Sequence, residues 1–316
     1  MTRILITPRS LTSGSHPALN CLAEAGFEVV TCASGRLPGP QELIDLLPGC
    51  VGWLAGVEPV PAAVIDAASE LRVISRNGTG IDNLPLALLA QRGIRVLKAE
   101  GANASGVAEL AVALALAGLR HIPFSDAGIK AGSWPRRQGC EIRGRTVGVI
   151  GCGAVGSEVA RLAVALGAEV LGYDVVRRPL ALERFRWSTL DEILDQASVI
   201  SLHCPALADG APLLDAAMLR RARSGLVLVN TARASLIDEA AVLAGLERGH
   251  LATYATDVFD TEPPCNLEFV RHPRVIATSH IGGFTAESVD RAAWTAVNNL
   301  LTALNPEYPS RNDPAA

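Results

Sequence analysis

The chain has 316 residues, 49% of them hydrophobic, enough to fill the cores of two domains. Its formal net charge of −4 offers no basic field for nucleic acid, and an aromatic content of 4% leaves no stacking array for bases. Only Lys98 and Lys130 of the 28 basic residues are lysines, which leaves little for Schiff-base chemistry.

The opening stretch MTRILITPRS holds an apolar run far too short for a signal peptide, so it predicts a first strand. The longest apolar run, residues 110–119, is too short to span a bilayer, and no membrane association is expected. Seven scattered cysteines form an odd set with no C-x-x-C spacing. That argues against a disulfide framework or a zinc site, predicts no bound metal, and fits a reducing cytoplasm.

From residue 3 to residue 99, β-rich runs (RILIT, EVVTC, VGWLAG, RVISR, RVLKA) alternate with helical patterns (SHPALNCLAEAG, residues 41–47, PAAVIDAASE, PLALLAQRG). Such alternation predicts a parallel sheet covered by helices. After RVISR, the GTG of residues 78–80 fits two readings: backbone N–H groups presented to a small anion, or a glycine-rich turn that closes a strand. Residues 101–103 are the expected hinge. Residues 104–120 predict an apolar helix that is either deeply buried or an oligomer contact. A short helix over 124–132 and a loop, GSWPRRQGCEIRG, follow.

Residues 147–174, VGVIGCGAVGSEVARLAVALGAEVLGYD, pack strand, glycine turn, helix, second strand and a terminal acid into one unit. Gly151, Gly153 and Gly156 make G-x-G-x-x-G in the strand-to-helix context that a dinucleotide cradle needs. The three glycines serve a tight turn, close approach of backbone to a pyrophosphate, and tight helix-on-strand packing. Asp174 ends the next strand, where its carboxylate can accept from both ribose hydroxyls and repels a 2′-phosphate. NAD is therefore expected over NADP.

A second alternating series (STLDEILDQA, VISLHC, DAAMLRRA, LVLVN, DEAAVLAGLERG, LATYATDVF, RVIATSH) leads to a last helix over 285–304 with Thr285 as N-cap. That helix is expected to return to the first domain, leaving PEYPSRNDPAA as a mobile tail. Three polar residues fall at the strand ends where open α/β sheets bind ligands: Arg233 after LVLVN, Glu262 in DVFDTEPP and His280 in ATSHIGG. Read singly, each has a plain role, as an edge ion pair, a solvated loop acid and a loop histidine. The three together point to chemistry.

Taken in order, SRNGTGIDNL, ANASGVAE, GSW, GCGAVG with Asp174, LHCP, NTARASLIDEAA, DVFDTEPP and SHIGGFTAES resemble the NAD-dependent D-isomer-specific 2-hydroxyacid dehydrogenases, of a phosphoglycerate dehydrogenase-like kind. The resemblance implies an α/β fold of two doubly wound parallel-sheet domains. A Rossmann-type NAD domain, residues 102–285, would be inserted into a flavodoxin-like substrate domain made of residues 1–101 and 286–316, with the active site in the cleft. It implies Arg233 as the clamp on substrate carboxylate and carbonyl, His280 as general acid/base, and Glu262 as the group that favours its protonated form. On the substrate side it implies backbone N–H groups around Asn77, Gly78 and Thr79, and Asn103. Arg76 matches a position used for phosphate, or is a solvated strand-end cation. For the cofactor it implies Val107, Gly151, Gly153, Ala154, Val155, Gly156, Asp174, His203, Cys204, Pro205, Thr231, Ala232, Asp257 and Gly282.

The chain departs from the family at Ala234, where glycine is usual, at Ser279, where proline is frequent, and in LAGVEPV, where many phosphoglycerate dehydrogenases carry an Arg-Ser pair. It also ends without room for a serine-sensing domain, so feedback by serine is not expected. The expected protein is a cytoplasmic NAD-dependent enzyme acting on a small 2-oxo or 2-hydroxy acid, a homodimer through its NAD-binding domain. The alternative is an NAD-sensing, protein-binding relative of the corepressor kind. A short-chain dehydrogenase is excluded, because no tyrosine has a lysine four residues later.

Overall fold

The computed structural model describes residues 2–14 and 16–305. The expected tail, residues 306–316, lies outside them. The chain divides into two compact units, Met1–Asn103 with Thr285–Ala316, and Ala104–Phe284.

In the first unit, five parallel strands, β1 (Arg3–Ile6), β2 (Glu28–Thr31), β3 (Cys50–Ala55), β4 (Val73–Arg76) and β5 (Arg95–Lys98), lie in the order β2-β1-β3-β4-β5. This is the flavodoxin-like order, whose ligand-binding switch point falls between β1 and β3. Every residue of β3 and β4 is buried, as helices on both faces of a parallel sheet require. One cover is the last helix, Ala286–Leu304, whose Thr285 side chain accepts from the Ser288 N–H as the N-cap. It buries Ala293, Ala296, Val297, Leu300 and Leu301 against a core that includes Ile4, Ile6, Leu54 and Val73. Each large apolar side chain so buried contributes about 2 kcal/mol. Asn299 Nδ2 on the same helix donates to the Lys98 carbonyl at 3.1 Å.

In the second unit, seven parallel strands follow: β6 (Thr146–Ile150), β7 (Glu169–Tyr173), β8 (Phe185–Trp187), β9 (Val199–Leu202), β10 (Leu226–Asn230), β11 (Leu251–Thr256) and β12 (Val275–Ala277). Their order, β12-β11-β10-β9-β6-β7-β8, reverses between β6 and β9, the dinucleotide-binding pattern. The helix Ala104–Arg120 spans the expected residues and buries Val107, Ala108, Ala111, Leu114, Ala115 and Leu119 in this unit. Its apolar character is explained largely by that burial. No single helix among the described residues is long and apolar enough to cross a membrane.

One local expectation needs correction, and two short elements were not expected. The helix expected at 124–132 is Ile122–Lys130, because Pro123 suits the first helical turn, where its missing N–H is no loss. The strand β8 and the short helix Leu267–Arg271 were not expected. Three and five residues carry too little periodicity to announce themselves.

Candidate active site

The cradle is shaped by close backbone contact. Gly151 follows β6 at φ +89°, a conformation open to glycine, and its N–H donates to Tyr173 O at 2.8 Å. A Cβ there would lie 2.5 Å from the backbone nitrogen of Cys204, and one on Gly156 would lie 1.8 Å from the Gly151 carbonyl oxygen. At Gly153 an added Cβ meets nothing within 4 Å. Gly153 is thus open where a phosphate approaches, and the first N–H groups of the helix Ala154–Ala165, among them those of Ala154, Val155 and Gly156, lie at the end that favours an anion.

Asp174 closes the turn: Oδ2 accepts from the Cys152 N–H at 2.7 Å and Oδ1 from the Val176 N–H at 2.9 Å. Burial, then the Asp174 charge, push the Cys152 thiol up to about 12, so it adds no charge to the cradle. Burial likewise pushes Cys204 up to about 11 and His203 down to about 3. Burial thus favours neutral His203, whose Nε2 lies 2.8 Å from Ser201 Oγ. The Thr231 hydroxyl is buried and has no hydrogen-bond partner among the described residues, as a group awaiting a ligand would be. The cradle, Asp174 and Thr231 fit NAD.

The other half of the same sheet edge carries the polar trio. Fully buried Asn230 ends β10; its Oδ1 accepts from the Ala232 N–H at 3.1 Å and its Nδ2 donates to the Arg233 carbonyl at 2.9 Å. This fixes the backbone that carries Arg233, whose Nη1 donates to Ala232 O at 2.6 Å. Asp257, at the end of β11, accepts from three donors of the loop after β12: Thr278 Oγ1 at 2.6 Å, Ile281 N–H at 2.8 Å and Gly282 N–H at 2.8 Å. The expected cofactor residue Asp257 therefore holds the loop that presents His280, and Gly282 packs against it with Val107 3.3 Å from where a Cβ would lie. His280 itself sits at φ +55°, a conformation uncommon for a side-chain-bearing residue and maintained by these contacts.

His280 Nδ1 is 2.9 Å from both carboxylate oxygens of Glu262, whose Oε1 also accepts from the Phe259 N–H at 3.2 Å. The hydrogen bond to Glu262 raises the His280 pKa; burial and the Arg233 charge pull the other way, and the Glu262 and Asp257 charges add to the rise. Burial alone raises Glu262, but His280, the Phe259 N–H and Arg233 outweigh it and hold the carboxyl below its ordinary value. Arg233, Glu262 and His280 thus share one electrostatic neighbourhood. With Nδ1–H given to Glu262, Nε2 is the nitrogen left to exchange a proton.

In the first unit the expected anion donors narrow. The N–H groups of Asn77 and Gly78 already donate to Ala55 O and Arg76 O at 2.9 Å, so they are engaged in the turn itself. Among the described residues, no acceptor takes the N–H of Thr79 or Gly80. Arg76 is buried, not solvated; its Nη1 donates to Ala55 O at 3.4 Å and Asn77 O at 3.3 Å. Asn103 is half-buried just before the helix Ala104–Arg120, and Pro205 is exposed after β9. Asn230 and the anchoring role of Asp257 escaped the sequence reading. The one available sign was a polar residue closing an otherwise apolar strand.

The fold and this edge define an α/β dinucleotide-binding protein with a paired histidine and acid. Residues 112–282 match the model of the D-isomer specific 2-hydroxyacid dehydrogenase NAD-binding domain. A hydroxypyruvate reductase of Thermotoga maritima is 34% identical over 270 residues, 84% of this chain and 88% of that protein. A D-3-phosphoglycerate dehydrogenase of Mycobacterium tuberculosis is 37% identical over 276 residues, 86% of this chain and 52% of that one. The chain thus spans about half the length of several curated relatives it matches. The structure of the TT0316 protein from Thermus thermophilus superposes with a TM-score of 0.86 at 34% identity, over 99% of this chain and 98% of that one. The chain belongs to the D-isomer specific 2-hydroxyacid dehydrogenase family. The names of these relatives do not favour the corepressor-like alternative.

Proposed function

We propose that the protein interconverts a small anionic 2-oxo acid and its D-2-hydroxy acid with NAD. The observation that carries this is the His280–Glu262 pair under the Arg233 charge, on the sheet edge that also bears the cradle. When bound, the nicotinamide supplies or takes up the hydride at C2. The cradle glycines, Ala154, Val155 and Asp174 hold its nucleotide, while Val107, His203, Cys204, Pro205, Thr231, Ala232, Asp257 and Gly282 line the remainder.

In reduction, imidazolium His280 donates its Nε2 proton to the carbonyl oxygen, and Arg233 stabilises the charge growing there. Glu262 remains ionised and keeps His280 protonated until transfer. In oxidation, neutral His280 removes the hydroxyl proton. The Thr79 and Gly80 N–H groups take the substrate carboxylate, Asn103 contributes a further polar contact to the acid, and Arg76 serves a phosphorylated substrate where there is one.

We also infer a cytoplasmic homodimer. All seven cysteines are free thiols, which suits a reducing compartment. The helix Ile122–Lys130 buries none of its residues and exposes Ile122 and Ile129, with Trp134 82% exposed just beyond it, an apolar surface suited to a second copy. Sedimentation as a monomer would remove that inference.

The test of the reaction is NADH oxidation with glyoxylate, hydroxypyruvate and a phosphorylated 2-oxo acid. Turnover of at least one acid, lost about 10³-fold in His280→Ala with NADH binding retained, is expected. NADH binding without turnover of any 2-oxo acid would sink the reading. In the same panel, Arg76→Ala should hurt the phosphorylated acid more than glyoxylate.

A further inference from the structure

The first unit contains a buried acid for which the proposed reaction has no use. Glu58, in the LAGVEPV segment that departs from the family pattern, is fully buried beyond the end of β3, beside the β1–β3 switch point. Its Oε1 accepts from the Gly56 N–H at 2.8 Å and from the hydroxyl of Thr7, the residue that follows β1. The same Thr7 oxygen accepts from Trp53 Nε1 at 2.9 Å, so the acid is built into a buried polar knot. Burying a carboxylate is unfavourable, and Oε2 has no hydrogen-bond partner among the described residues. A Leu or Met there would avoid that penalty.

What the knot holds is a platform. The segment Ala55, Gly56 and Glu58 offers its carbonyls to the neighbouring turn: Ala55 O accepts from the Asn77 N–H at 2.9 Å, and Asn83 Nδ2 donates to Glu58 O at 2.7 Å and Gly56 O at 3.4 Å. These bonds bracket Thr79 and Gly80 on both sides, at 77 and at 83. Freezing Gly56 through the Glu58 side chain therefore freezes the turn whose Thr79 and Gly80 N–H groups have no acceptor among the described residues.

We propose that Glu58 is a positioning residue for substrate binding, acting through Gly56 and Asn83 on the N–H groups of Thr79 and Gly80. This rests on the dehydrogenase reading above. Its signature is a KM effect on the 2-oxo acid, carried by the acceptor atom Oε1 and not by charge. Glutamine keeps that acceptor; alanine removes it.

The experiment is steady-state kinetics on the full chain with whichever 2-oxo acid the wild type reduces, together with NADH titration and thermal melting. Glu58→Ala should raise KM for the acid about tenfold, with kcat within about threefold and NADH affinity unchanged, a loss near 1.4 kcal/mol. Glu58→Gln should stay within about threefold of wild type in KM. Asn83→Ala should show the same KM rise, and the Glu58→Ala/Asn83→Ala double variant should be no worse than either single change. Leu22→Ala, which opens a cavity in the same unit's core, serves as the control for lost stability and should lower Tm without moving KM.

Three results would overturn the proposal: a lower Tm in Glu58→Ala with KM unchanged, a KM rise shared by Leu22→Ala, or strictly additive effects of Glu58 and Asn83. If Glu58→Ala fails to fold, Asn83→Ala alone decides, through its KM. A wild type that binds NADH and reduces no 2-oxo acid defeats the dehydrogenase reading first, and this inference with it.

Discussion

The two halves of the second unit's sheet edge solve different problems in different ways. On one side, the cradle between β6 and β7 is made of backbone: glycines where a Cβ would collide, and one carboxylate that ties the turn shut. On the other, the Arg233, Glu262 and His280 site is made of side chains, with the Arg233 and His280 loops pinned from beneath by Asn230 and Asp257, buried polar residues at strand ends. At Gly151 and Gly156 the cradle tolerates no added atoms. The trio tolerates atoms but not a lost hydrogen bond. Substitutions on either side should therefore fail differently, one in cofactor binding and the other in turnover.

After the loss of His280 itself, the largest effect is expected at Gly156. Valine there places carbon where the Gly151 carbonyl oxygen lies, and both are backbone-fixed, so the turn must open. NADH affinity in Gly156→Val should fall by more than about 100-fold, measured by fluorescence titration. Near-normal binding would show that the cradle is softer than its contacts imply.

Asp257→Ala should come next, with the opposite signature. It strips the acceptor from three donors of the loop that carries His280, at about 1–3 kcal/mol for each donor left buried. We expect kcat to fall about 100-fold while NADH affinity changes by much less. A loss confined to NADH affinity would instead make Asp257 chiefly a cofactor ligand.

The third prediction concerns pH. Glu262 is the largest cause of the raised His280 pKa, whereas burial and Arg233 lower it. Reduction needs the imidazolium, so in the wild type it should persist up to the raised pKa and decline above it. In Glu262→Gln the raising charge is gone, so the decline should move to lower pH and the rate at neutral pH should drop about tenfold. Oxidation, which needs neutral His280, should switch on at lower pH in the same variant. A profile that stays in place, or moves upward, would remove Glu262 from this role.

How much of this was legible follows from distance along the chain. The cradle lies within one window of the sequence, so its glycines, helix and acid could be read together, and the helix Ala104–Arg120 and the Thr285 cap were equally local. The trio stood out by its strand-end positions, but its roles were legible only by resemblance, since nothing in residues 233, 262 and 280 alone says that three loops converge. The anchors were harder still. Asp257 meets partners 21 to 25 residues away, across a strand pairing that a single sequence does not display. In the other unit the engagement of the Asn77 and Gly78 N–H groups within the turn was not legible, because a glycine turn shows where a chain bends and not which N–H groups the bend uses.

The smallest predicted effect returns to the cradle and sharpens the contrast. Asp174 does two things: it accepts from the Cys152 and Val176 N–H groups, which shapes the turn, and it places a negative charge at the end of β7. Asp174→Asn keeps an oxygen acceptor but removes the charge, whereas Asp174→Ala removes both. If charge governs the choice of cofactor, both variants should lose about tenfold of the preference for NADH over NADPH, because repulsion of the 2′-phosphate is gone in each. If the shape of the turn governs it, Asn should stay close to wild type and only Ala should lose affinity, for both cofactors alike. The preference ratio, measured side by side, therefore separates a cradle that reads its ligand by charge from one that only fits it.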